Sequence, residues 1–185
     1  MAGSMAQTAL RPETETTTEK SPVQVRKLGH VVLWVSDVRG STKFYTEVLN
    51  FRISDWEKRA DGHEMVFLNA CGDHHTIALF SRPGGQMPPQ EFLQLSHFAM
   101  EVGHIDELFA IREFLDRKGI PIRSEGRKGA GCNIDVSFDD PDGYHIELYC
   151  NMDQVGNGSR PRPPEQFRRA STLEEARDNP VSANW

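Results

Sequence analysis

Three side chains with metal-binding chemistry stand in recognisable settings along the chain. They are His30 in Leu28-Gly29-His30-Val31, His97 in Leu95-Ser96-His97-Phe98, and Glu147 a few residues after Asp140-Pro141-Asp142-Gly143. Asp-Pro-Asp-Gly is a turn, because proline presets the first φ angle and glycine takes the positive one. The segment after it alternates, with Ile146 and Leu148 on one side and His145, Glu147 and Tyr149 on the other, as a half-buried strand does. A mid-strand carboxylate among apolar neighbours is unfavourable unless it is paired or bound to a metal. The plain alternative is a glutamate on an exposed face. Two histidines and one carboxylate form the facial triad that leaves positions open on non-haem Fe(II).

These residues need elements to position them, and the middle of the chain supplies a matched pair. Leu28 to Leu33 is echoed by Leu95 to Met100, each with histidine third. A helical pattern follows each, over Arg39–Leu49 and Ile105–Lys118, ending at Asn50-Phe51 and at Gly119-Ile120-Pro121. Three strand candidates complete each half, at about 52–57, 64–69 and 75–81, then 121–125, 132–138 and 144–150. The spacing from His30 to Thr76 is 46 residues and from His97 to His145 is 48, which marks an internal duplication. Strand parity puts His30, Val32 and Trp34 on one face, and His97, Ala99 and Glu101 on the matching face. Glu147 shares that second face. The expected fold is α+β: two βαβββ modules forming a curved mixed sheet around a metal site held by His30, His97 and Glu147. Ala78, the counterpart of Glu147 in the first half, cannot bind a metal.

The remainder of the sequence narrows the class. The chain has 185 residues and a formal net charge of −6, which disfavours a general nucleic-acid or anionic-membrane surface. No apolar run approaches the roughly 20 residues of a membrane span, and the start lacks the basic and apolar regions of a signal peptide. Cys71, Cys132 and Cys150 have no C-x-x-C spacing and read as reduced thiols of a cytoplasmic protein. The expected organisation is a disordered tail over 1–24, one domain over 25–152 with modules at about 25–81 and 94–152, and a C-terminal extension over 153–185. In that extension, Phe167, Ala170 and Leu173 are spaced for one face of a short helix within Pro164–Asn179.

Over about residues 27–150 the chain resembles the vicinal-oxygen-chelate superfamily, and within it the type I extradiol dioxygenases similar to catechol 2,3-dioxygenase. That resemblance implies a homodimer in which Fe(II), or Mn(II), is held by His30, His97 and Glu147. The metal would chelate a catechol-like aromatic for cleavage with O2. It also implies a catalytic acid/base at His75, in His74-His75-Thr76-Ile77, although a regular strand would turn His74 to the face of Ala78. The family's active-site tyrosine position falls on Ser137, and a further histidine position falls on Lys128. With Trp34 as an aromatic wall, these are the expected substrate-binding residues. Ala78 departs from the glyoxalase I pattern, which has an acidic ligand there. Two alternatives stand beside this reading. One is another metalloenzyme of the superfamily (a lyase, isomerase or thiol transferase), and the other is a metal-free small-molecule-binding protein of the same fold.

Overall fold

The computed structural model describes residues 27–82, 84–89, 95–154 and 162–182. The expected N-terminal tail over 1–24 and residues 155–161 of the expected C-terminal extension lie outside them. The first half runs β1 (Val31–Val35), α1 (Val38–Val48), β2 (Arg52–Lys58), β3 (Glu64–Asn69) and β4 (Ile77–Ser81). The second half repeats the order with β5 (Phe98–Glu101), α2 (Ile105–Lys118), β6 (Ile122–Arg127), β7 (Ile134–Asp139) and β8 (His145–Cys150). Each helix starts where a side chain takes up its free N–H groups. Asp37 accepts from the Arg39 N–H, while His104 and Glu107 form a reciprocal capping box for α2. Gly119 closes α2 at a φ of 68°, the left-handed conformation that a helix end with two returning N–H bonds requires.

Each half makes its own four-stranded mixed sheet, ordered β1-β4-β3-β2 and β5-β8-β7-β6. The first strand of each half pairs in parallel with the last, and the remaining pairs are antiparallel. The expected single curved sheet around a metal is therefore corrected to two separate sheets. One face of each is covered by its helix: α1 lies on β3 and β4, and α2 on β6, β7 and β8. There Leu33, Val35, Leu68, Leu79 and Tyr45, and in the second half Val136, Phe138, Ile146, Leu108 and Leu115, are buried. Removing such apolar area from water is the main stabilising term.

The halves are joined on the helix side by a polar latch. Asp142 accepts from the Ser36 N–H at 2.9 Å and from the Ser36 and Ser41 hydroxyls. The buried Tyr45 hydroxyl donates to Asp140 at 2.9 Å, and Tyr144 donates to the Trp34 carbonyl at 3.0 Å. Beyond β8, a 3-10 turn (Pro164–Gln166) and α3 (Leu173–Asp178) form the C-terminal arm. The helix is shorter than its apolar spacing implies, because Ala170 instead bridges in β fashion to Arg127 on β6. No helix among the described residues is long and apolar enough to cross a membrane.

Candidate ligand-binding site

The uncovered face of the first sheet is aromatic. Register sets Val32 beside Ala78, Trp34 beside Phe80, and Phe67 beside Ala78, all on the side away from α1. The rings form a chain of edge and tilted contacts: Trp34 to Phe80 at 5.9 Å, Phe80 to Phe67 at 6.2 Å, Phe67 to His75 at 5.2 Å and His75 to His30 at 4.4 Å. Edge-to-face geometry is favoured because the positive ring edge meets the negative face. Trp34 is 45% exposed and Val32 43%, so this apolar stripe meets solvent. The strand β4 begins only at Ile77, so strict alternation does not extend back through His74. His75 thus lies against His30, with its Nδ1 3.1 Å from that of His74. Desolvation, followed by repulsion from His30 and His74, holds the His75 pKa below the usual imidazole value.

The matching face of the second sheet is polar. Glu147 pairs across the sheet with Ala99 and Ser137, and its Oε1 accepts from Asn133 Nδ2 at 3.0 Å. The Ser137 hydroxyl lies 2.8 Å from that of Ser124, which also accepts from Lys128 Nζ at 3.2 Å. The same ammonium is 3.1 Å from Asp135, whose side chain is fully buried. Burial, and then the neighbouring Glu147 charge, push the Asp135 carboxyl up to about 6 against the opposing pull of Lys128. Lys128 and Ser137 are thus tied into one cross-strand network. His97 is exposed at the strand entry, its ring edge-on to His145 at 5.8 Å. Sequence reasoning singled out no role for His145. Its Nδ1 is 3.4 Å from Asp139, which accepts from Arg123 Nε at 2.7 Å. The signal for it was present, since alternation set His145 on the side of Glu147.

Among the described residues, no three His, Cys, Asp or Glu side chains stand where one metal ion could be shared. Glu147 lies in the second sheet and His97 at the entry to its strand β5, while His30 stands at the entry to β1 in the first and has His75 as its neighbour. The donor set therefore does not fit Fe(II) or Mn(II). This overturns the expected cofactor, the Fe(II)-dependent ring-cleavage dioxygenase, and the pairing of an aromatic substrate with O2. Strand parity states which side of a sheet a residue takes, and it is silent on where a second sheet sits. The half-buried Glu147 carboxylate is accommodated by the Asn133 amide, which answers the desolvation that had argued for a metal.

Comparison with known proteins adds ancestry to this geometry. Biphenyl-2,3-diol 1,2-dioxygenase 3 of Rhodococcus globerulus is 30% identical over 143 residues, covering 76% of this chain and 69% of that protein. Biphenyl-2,3-diol 1,2-dioxygenase of Paraburkholderia xenovorans (strain LB400) is 28% identical over 124 residues, but the match spans only 39% of its length. Among solved structures, a glyoxylase/bleomycin resistance protein/dioxygenase domain from Frankia sp. EAN1pec superposes with a TM-score of 0.60 at 22% identity. It covers 69% of this chain and 98% of that one, and speaks for the fold. A family match spans residues 27–148, from the approach to β1 to the middle of β8 and so through both βαβββ units. The chain belongs to the Glyoxalase/Bleomycin resistance protein/Dioxygenase superfamily.

Proposed function

We propose that the chain is a small-molecule-binding member of this superfamily whose binding does not depend on a resident metal. Its ligand, an organic molecule with one flat face, lies on the open side of the first sheet. The observation that supports this reading is the continuous ring stripe from Trp34 through Phe80, Phe67 and His75 to His30, partly exposed where a solvated face would be polar. An exposed apolar patch on a globular protein marks a contact surface. Stacking on such rings adds roughly 0.5–1.5 kcal/mol per pair beyond area burial. Desolvation and then His30 and His74 hold the His75 pKa down, which favours the neutral imidazole as a hydrogen-bonding group. The curated relatives are named as dioxygenases of aromatic diols, which is in keeping with a flat ligand. The free Cys71, Cys132 and Cys150 thiols suit a reducing cytoplasm.

The test is calorimetric titration of protein stripped with a chelator, using 2-naphthol as the probe. Binding is expected to survive the chelator and to weaken about threefold to tenfold in Trp34→Ala and in Phe67→Ala. Binding that appears only after Fe(II) or Mn(II) is added back overturns the reading.

A further inference from the structure

The duplication invites a comparison of the two joints between the modules. One joint is the latch described above, where Ser36, Ser41 and Tyr45 bond to Asp142 and Asp140. Carrying the repeat forward from His30 to His97, the counterparts of Ser36, Ser41 and Tyr45 are Gly103, Leu108 and Arg112. Carrying it back from His145 to Thr76, the counterparts of Asp140 and Asp142 are Cys71 and Asp73. None of these reproduces the latch. The Gly103 N–H donates to Glu107, Arg112 is engaged by Glu125 and Glu174, and Asp73 is paired with Lys27. The second joint is left open, and a cleft of about 490 Å³ lies there between the end of α1 and the face of α2.

We propose that this cleft is a second binding site, taking a small apolar molecule that carries one amine. Its volume falls within the roughly 300–1,000 Å³ of small-molecule sites. Leu49, Phe51, Met100, Val102, Ile111 and Phe114 line it, drawn from both modules. Three carboxylates border it, Glu47, Glu101 and Glu107, against the single guanidinium of Arg117. That cation is compensated already, 3.9 Å from Glu113 and lying over the Phe114 ring. Glu107 is committed to capping α2 and Glu47 has Lys43 Nζ at 4.0 Å, so Glu101 is the carboxylate left to face an ammonium. The negative field reaches past the lining: burial and then Glu107 and Glu101 push the neighbouring Cys150 thiol up to about 11. An anion would meet repulsion at the same rim.

The experiment compares 4-phenylbutylamine, 4-phenylbutan-1-ol and 4-phenylbutyrate by calorimetry and by NMR of the methionine methyl groups, with Met100 assigned through Met100→Leu. The amine is expected to saturate, to shift the Met100 methyl, and to bind roughly fivefold to tenfold more tightly than the alcohol. The acid is expected to leave the Met100 methyl unmoved. Ala110→Trp and Ala70→Trp place bulk at the cleft from exposed positions on opposite walls, and each is expected to abolish binding with the melting temperature retained. Glu47→Gln with Glu101→Gln should bring the amine to the level of the alcohol, while Trp34→Ala leaves its affinity unchanged. A silent Met100 methyl, an amine no tighter than the alcohol, undiminished binding in both Trp variants, or loss of binding in Trp34→Ala would each overturn the proposal.

Discussion

Asp140 shows how a residue read as part of a turn becomes a structural acceptor. Its Oδ1 accepts the N–H groups of Asp142 and Tyr144, and its Oδ2 takes the Tyr45 hydroxyl. Burial nevertheless dominates and pushes its carboxyl up to about 6, from an ordinary 3.8. The ionised form is therefore disfavoured by folding. The native state holds this proton between about pH 4 and 6 where the unfolded chain has lost it, so Asp140's contribution to stability declines as pH rises through that window. Relative to Asp140→Asn, the wild-type protein should lose on the order of 3 kcal/mol between pH 4 and 7, measured by urea unfolding at each pH. A flat difference across that range would contradict the assignment. Tyr45→Phe removes the donor to Oδ2 and should destabilise by about 1–3 kcal/mol at pH 7, with less effect at pH 4 where the carboxyl is neutral.

At the scale of elements, the C-terminal arm is the part whose placement rests on side chains far from it in sequence. Arg127, at the end of β6, is 4% exposed and donates to the carbonyls of Arg168, Ala176 and Asn179. Arg112 adds paired bonds to Glu174 and Glu125. Next to this clasp, Gly126 sits at a φ of 115°, and a Cβ there would run into the Ala170 carbonyl. The arm thereby pairs the end of the edge strand β6, at Arg127, whose N–H and C=O would otherwise be open to another chain. Arg127→Met should cost about 2–4 kcal/mol, since three carbonyls lose their donor. Hydrogen exchange should rise across residues 170–179 while β1 to β4 stay protected. Protection retained in the arm would show that Leu173 and Ala176, both buried, hold it without the guanidinium.

For the whole molecule, the arrangement of the two sheets decides the chemistry. With no three-donor group among the described residues, prolonged chelation should leave the melting temperature within about a degree, read by circular dichroism. A fall of several degrees would show a metal contributing to the fold. The latch is the other whole-molecule device. Asp142→Ala removes the acceptor shared by the Ser36 N–H and the Ser36 and Ser41 hydroxyls. It should lower stability by about 1–3 kcal/mol and raise exchange at Ser36 and Tyr144, leaving the interior of each sheet protected.

The sequence by itself determined a good deal of this. The apolar periods of α1 and α2, the Asp-Pro-Asp-Gly turn and the duplicated strands are local patterns, written in residues near one another, so spacing alone exposes them. Parity likewise set Trp34 and His30 on one face and Glu147 with Ser137 on another, because alternation is a property of the single strand. The tertiary structure decided the rest. Whether Glu147 meets a metal or an amide depends on Asn133, which lies 14 residues away on β7. Whether His30 joins His97 or His75 depends on how two sheets are set against each other, and that is fixed by Tyr45, Asp140 and Asp142 across a sequence separation of about a hundred residues. Long-range bonds of that kind leave no periodic trace in the chain, and the site they define is legible only once both partners are in place.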